Sequence, residues 1–160
     1  MNDHALHNNA LNLKDAGKLV ADLGPEQMTA QPAPGMNHAA WVLGHLAWAA
    51  DLGPQILGEA PGFPAEWVPL FDNSSEPKAD ASAYPSKAEL LAALEDATGR
   101  LAASLGRATP EQLAAEFPIA EFRATHPTAG DGVVFLATNH AARHLGQLSA
   151  WRRALGLPRI

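Results

Sequence analysis

Residues 139–147 read Asn139-His140-Ala141-Ala142-Arg143-His144-Leu145-Gly146-Gln147. Two imidazoles four residues apart stand one above the other on the same face of an α-helix, a spacing at which both can bind one metal ion. Stepping outward at helical intervals gives Val133, Leu136, Ala137, His140, His144, Leu148, Trp151 and Leu155. Both histidines therefore lie in the middle of an apolar stripe that should face a core. An imidazole buried there needs partners for both ring nitrogens. A shared metal ion meets that need, and so does a pair of core histidines bonded to neighbouring carbonyls; the segment by itself leaves both readings open.

The rest of the composition points to a helical protein. Of 160 residues, 47 % are hydrophobic, with alanine and leucine dominant and a single tyrosine, which favours helices over an extensive sheet. The length fits one domain, residues 1–160, around one core. The net charge of −6 rests on only 11 Lys and Arg, too few for a surface that grips a phosphate backbone, so nucleic acid is not an expected partner. The absence of cysteine removes disulfides, thiolate ligands and a cysteine nucleophile, leaving His and carboxylates for any metal. The first residues lack the basic and apolar regions of a signal peptide, and no apolar run approaches membrane-spanning length. A cytoplasmic protein without membrane contact is the expectation.

In chain order, the first helix is expected from His4 to Leu23, with Leu6, Leu13, Gly17 and Val20 facing inward and Gly24-Pro25 stopping it. After Gln31-Pro32-Ala33-Pro34-Gly35, Asn37 is a good N-cap for a second helix. On it Trp41, His45, Trp48 and Leu52 share a face, which places His45 inward between two aromatic rings; Pro54 should end or kink the helix near Leu52. Residues 59–85 carry five prolines among Phe63, Trp67, Phe71 and Tyr84 without a clear period. So long a connection reads as a crossover packed on the structure, and a candidate lid. Ser86-Lys87-Ala88-Glu89 is a capping box for a third helix, with Leu90, Leu94, Ala97, Leu101 and Leu105 at helical intervals up to Gly106. Thr109-Pro110 opens a short helix, and Thr128 or Asp131 caps the last long one, which ends at Gly156-Leu157-Pro158. The expected fold is all-α: a four-helix bundle with a long Pro-rich crossover between the second and third helices.

An internal echo links two of these helices. Asn37-His38-Ala39-Ala40 and Leu43-Gly44-His45-Leu46 match Asn139-His140-Ala141-Ala142 and Leu145-Gly146-Gln147-Leu148, and each helix follows a Pro-Glu-Gln element. Helices with glycine at equivalent places, Gly44 and Gly146, would approach closely and bring His45 near His140 and His144. Three neutral imidazoles facing one point, without a fourth protein ligand, suit a catalytic divalent transition metal better than a structural one. Gln147 is placed to orient a ring, though a polar residue at a helix boundary explains it as well. His38 is expected half exposed, a pocket residue rather than a ligand; His4, His7 and His126 read as surface. Trp41, Trp48 and Trp151 have core spacing, with one of them lining a pocket as the alternative. Arg143, Arg152, Arg153 and Arg159 give the last helix a positive end that complements its dipole.

The pieces Trp41-Val42-Leu43-Gly44-His45-Leu46 and His140-Ala141-Ala142-Arg143-His144-Leu145-Gly146-Gln147, in this order around a Pro-rich crossover, resemble the DinB-like superfamily of small four-helix-bundle metalloproteins. The resemblance implies that His45, His140 and His144 take the family's three ligand positions for a divalent metal, often zinc or nickel, with water completing the shell. It also implies a homodimer. Characterised members include thiol-dependent enzymes, maleylpyruvate isomerases using mycothiol and S-transferases using bacillithiol. The expected activity is therefore transfer involving a metal-bound low-molecular-weight thiolate and a small electrophilic substrate. The alternatives are a metal-dependent hydrolase and a non-catalytic, stress-linked helical dimer. Maleylpyruvate isomerisation itself is less expected, because the chain stops soon after the last helix. The zinc-protease pattern is absent, since Ala141-Ala142-Arg143 provides no glutamate between the histidines.

Overall fold

A computed structural model describes residues 2–160. The all-α expectation holds: among the described residues there is no strand, and pairing outside helices is limited to one isolated antiparallel bridge, Glu116 to Thr128. Four long helical segments are α1 (Asn2–Val20), α2 (Ala39–Ile56), α4 (Lys87–Arg107) and a composite last rod. That rod consists of α6 (Ala129–Phe135), one π-helical turn (Leu136–His140) and α7 (Ala141–Ala154). Short helices α3 (Val68–Phe71) and α5 (Pro110–Ala114) sit in the connections. α2 packs on α4, α1 on α4 and α7, and α2 on α7. No helix is long and apolar enough to cross a membrane.

Local chemistry sets the boundaries. The Ser86 box forms, with the Ser86 N–H donating to Glu89 Oε2 at 2.8 Å, and Lys87 Nζ turns back to donate to the last carbonyls of the α1 segment, Leu23 O at 2.7 Å among them. Thr109 caps α5 and Thr128 caps α6, each closed by the residue three places on. Leu90, Leu94, Ala97, Leu101 and Leu105 are all buried, as their spacing requires.

Several expectations change. Pro54 lies inside α2, which continues to Ile56. The buried face of α1 runs through Ala5, Asn9, Ala16, Leu19 and Val20, and admits asparagines because each side chain finds a carbonyl on a neighbouring rod. Asn9 Nδ2 donates to Thr98 O at 3.2 Å, and Asn12 Nδ2 donates to Thr138 O at 3.1 Å, inside the π turn. Finally, Arg152 is buried, not a surface partner of the helix dipole. Its guanidinium forks onto the Asp22 carboxylate at 2.6 and 2.8 Å and donates to Leu19 O at 2.8 Å.

The crossover packs down as its aromatics suggest. Phe71 is fully buried, and Phe63, Trp67 and Phe71 meet edge to face with centroids 6.0 to 6.4 Å apart. Its far half is stitched to the start of α2. Trp41 Nε1 donates to Ser75 Oγ at 2.9 Å and Gln31 Nε2 donates to Pro77 O at 3.1 Å. The N-cap of α2 is His38, not Asn37: His38 Nδ1 accepts the Trp41 N–H at 3.2 Å, so Nε2 carries the proton and donates to Lys78 O at 3.0 Å. His38 is completely buried, contrary to its expected half exposure, and burial pulls its pKa down to about 4.

Candidate metal centre and its pocket

The three predicted ligands meet. His45 comes from the middle of α2, His140 from the end of the π turn and His144 from the first turn of α7. One nitrogen of each lies within 4.8 Å of the other two, close enough for the cluster to hold a metal ion. Ring centroids are 4.7 Å apart for His45 and His144, 4.7 Å for His140 and His144, and 5.2 Å for His45 and His140.

Hydrogen bonds fix which nitrogen is free. His45 Nδ1 is 2.7 Å from Phe71 O, and a carbonyl only accepts, so Nδ1 carries the proton and Nε2 keeps its lone pair. His144 Nδ1 is 2.9 Å from Gln147 Oε1, which likewise accepts. The same Gln147 oxygen accepts from Asn37 Nδ2 at 3.2 Å, giving a short relay from the residue before the α2 cap to His144. Partners of this kind orient metal-binding imidazoles in proteins generally. Gln147 is thus more than a polar boundary residue.

Electrostatics keep the rings neutral. Burial lowers His45 to about 4, helped by the His144 charge, and lowers His140 to about 3, with His144, His45 and Arg143 adding to the effect. His144 is lowered by burial too, against a contribution from Gln147 that raises it. Near pH 7 all three therefore offer lone pairs. Neutral nitrogens so disposed, with two protons anchored away from the centre, fit a divalent transition ion.

The tryptophans divide their work. Trp41 lies flat on His45, centroids 4.4 Å apart and planes 10° from parallel, and reaches within 5.9 Å of His144. Trp48 flanks His45 at 5.5 Å and lines a pocket of about 580 Å³. Trp151 is core, its Nε1 donating to Ala30 O at 2.7 Å. His140 forms one end of the same pocket. His4 and His7 are exposed as expected, and His38 lies in the crossover seam, away from the pocket lining.

What sequence reading missed is the loop between α5 and α6. Its ends are tied by Phe117 N–H donating to Pro127 O at 3.1 Å and Ala129 N–H donating to Ala115 O at 2.8 Å. Arg123 braces it, donating to Phe117 O at 2.7 Å and pairing with Glu116 at 3.1 Å. Phe117, Phe122 and His126 from this loop wall the pocket, so His126 is not the surface residue expected. A proline-bounded loop carries no periodicity to show which face it covers; the only hint was its aromatic content.

The DinB superfamily model matches residues 11–148. The chain belongs to the DinB superfamily. A solved relative of this DinB-superfamily protein, described as the conserved protein of locus from Enterococcus faecalis, superposes with a TM-score of 0.77 at 19 % identity over 98 % of both chains. That likeness speaks to the fold. No curated protein matches the sequence.

The internal echo does not extend to roles. His38 caps a helix where His140 faces the centre, and the two glycines differ. An added Cβ at Gly44 would lie 2.2 Å from the Phe71 ring, whereas at Gly146 it would meet nothing within 4 Å. Gly44 thus admits the crossover, and the helix-to-helix approach expected of the glycine pair is not what brings His45 into place.

Proposed function

We propose that this DinB-superfamily protein is a metal-dependent enzyme in which His45, His140 and His144 hold one divalent transition metal ion, zinc or nickel, and that it transfers a low-molecular-weight thiol onto a small electrophile. The observation that carries this reading is the asymmetry of the triad. His45 is 3 % exposed, while His140 opens on an apolar pocket and His144 stands at the exposed edge where Gln147 meets Asn37. A structural ion is normally enclosed by four protein ligands; three histidines with open sides leave room for an exchangeable one. When bound, such an ion lowers the pKa of a coordinated thiol or water and supplies the nucleophile this cysteine-free chain lacks.

The chain's own contribution is preparation. Phe71 O and Gln147 Oε1 hold two rings in the tautomer that directs Nε2 inward, and Trp41 fixes the plane of His45. The apolar pocket keeps water from an electrophile beside His140. Separate apolar and polar approaches suit a two-substrate transfer; a hydrolase needs only one substrate and water, and is the second reading.

Metal analysis of protein purified without a histidine tag tests the centre. About one ion per chain is expected, with loss in His140→Ala; a metal-poor parent, or equal content in both, rejects it. A panel of small thiols with an activated chloroarene then tests transfer. Turnover without thiol dependence moves the assignment to hydrolysis.

A further inference from the structure

We infer that the pocket between α2, α6 and the 116–128 loop is a binding site for an uncharged, mostly apolar small molecule, oriented by a hydrogen bond to Nε2 of His126. The inference rests on the metalloenzyme reading only in taking this molecule to be the electrophile.

Size comes first. A cavity of about 580 Å³ falls within the range of small-molecule sites and is too small for a folded partner. Its walls are rings and aliphatic chains: Trp48 and Leu52 from α2, Phe135 from α6, Phe117 and Phe122 from the loop. Among the described residues no Lys or Arg lines it, and Asp72 contributes the one formal negative charge. Its Oδ1 already accepts the Ser74 N–H at 2.9 Å and the Ser74 hydroxyl at 2.7 Å. An anion entering would lose water without gaining a counter-charge from any lining side chain, and would face Asp72 as it did so. A cation would leave its hydration shell for a mostly apolar lining in which Asn73, Ser74, His126 and His140 are the polar groups beside Asp72.

His126 supplies the polar recognition. Thr125 Oγ1 lies 3.0 Å from Phe122 O and 2.9 Å from His126 Nδ1. Phe122 O also accepts the Thr125 and His126 backbone N–H groups, at 3.0 and 2.8 Å; with the one hydroxyl proton directed to that carbonyl as well, His126 Nδ1–H donates to Thr125 Oγ1 and Nε2 is the acceptor. Among the described residues nothing bonds to that nitrogen. The ring is held edge-on against Phe135, centroids 4.4 Å apart, so the acceptor is fixed before a ligand arrives. A ligand O–H or N–H is the group it would read. Phe122, 46 % exposed, and Ile119, 37 % exposed, form an apolar mouth suited to entry.

Titration calorimetry on the full-length protein with naphthol, naphthoate, naphthylmethylamine and methylnaphthalene tests this, with metal content measured on the same samples. Naphthol should bind about tenfold more tightly than either charged analogue. His126→Phe should weaken naphthol about fivefold while leaving methylnaphthalene unchanged, and His126→Gln, which keeps an acceptor, should restore naphthol. Equal or tighter naphthoate binding overturns the inference, as does a parallel loss of both neutral probes in His126→Phe. Absence of any probe binding also overturns it, and a dimer that Phe122→Asp dissociates would then name a second copy as the occupant. If the parent holds no metal but discriminates among the probes as described, the enzyme reading fails and the pocket assignment stands.

Discussion

Two walls flank the histidine centre, and both are seated in the same way: a phenylalanine ring pressed onto a helical glycine. Behind the centre, Phe71 of the crossover rests on Gly44; in front, Phe117 of the 116–128 loop rests on Gly132, where an added Cβ would lie 2.1 Å from the ring. The surroundings differ. The rear wall is a bonded seam, with His38 tied to Lys78, Trp41 to Ser75 and Phe71 O to His45, and Phe71 fully buried. The front wall is tied mainly at its base and through Arg123, and leaves Phe122 half in solvent. The rear wall thus holds the His45 ring, whereas the front wall lines the pocket. Equal insults to the two should separate stability from binding.

Acid should attack the rear seam most strongly. His38 has its folded pKa lowered to about 4, so the unfolded chain takes up the proton first as pH falls. Its contribution is present above about pH 6.5 and lost progressively down to about pH 4, amounting to about 3 kcal/mol. Urea unfolding of metal-free protein across that window should show the parent losing this much more stability than His38→Asn, which keeps a capping side chain without the titration. Identical slopes would remove His38 from the seam.

Gly44→Ala should come next, at about 2 kcal/mol, because a buried ring backed by α2 has little room to yield. Displacing Phe71 also moves the acceptor of His45 Nδ1, so metal affinity should fall at least about tenfold. Gly132→Ala is expected to cost only about 1 kcal/mol, since the loop carrying Phe117 is freer to shift. Metal content should be retained while binding of a neutral aromatic probe is lost. If the two alanines behave alike in both assays, the distinction between the walls fails. The smallest stability effect belongs to Gln147→Ala: a few tenths of a kcal/mol at most for an exposed side chain. It should still show a weaker metal affinity, about tenfold, from the loss of the His144 partner.

The same contrast explains what could be read beforehand. The His140 and His144 spacing, the inward His45 between Trp41 and Trp48, the capping box at Ser86 and the cap at Thr109 are local or periodic, and each survives in the structure. Periodicity shows which way a face points, but not which element covers it. Spacing alone therefore pairs Gly44 with Gly146, whereas its neighbour is Phe71, and puts His126 at the surface, whereas its loop lines the pocket. His38 and Arg152 depart from expectation for a related reason. A buried polar group is legible only once its partner is known, and Lys78 O and Asp22 are 40 and 130 residues away.

The π turn at Leu136–His140 joins the two walls' territories on one rod. Gly132 and Phe135 precede it and floor the pocket; His144 follows it and faces the centre. Because each helical residue advances about 100° around the axis, the wider turn acts as a phase joint between the two halves. Asn12 steadies it from α1 through the Thr138 carbonyl. A one-residue deletion there would rotate the pocket floor relative to the half that carries His144, re-aiming the cavity while His144 stayed on its rod. Cavity shape and the histidine cluster can in this way diverge separately, by indel as readily as by substitution.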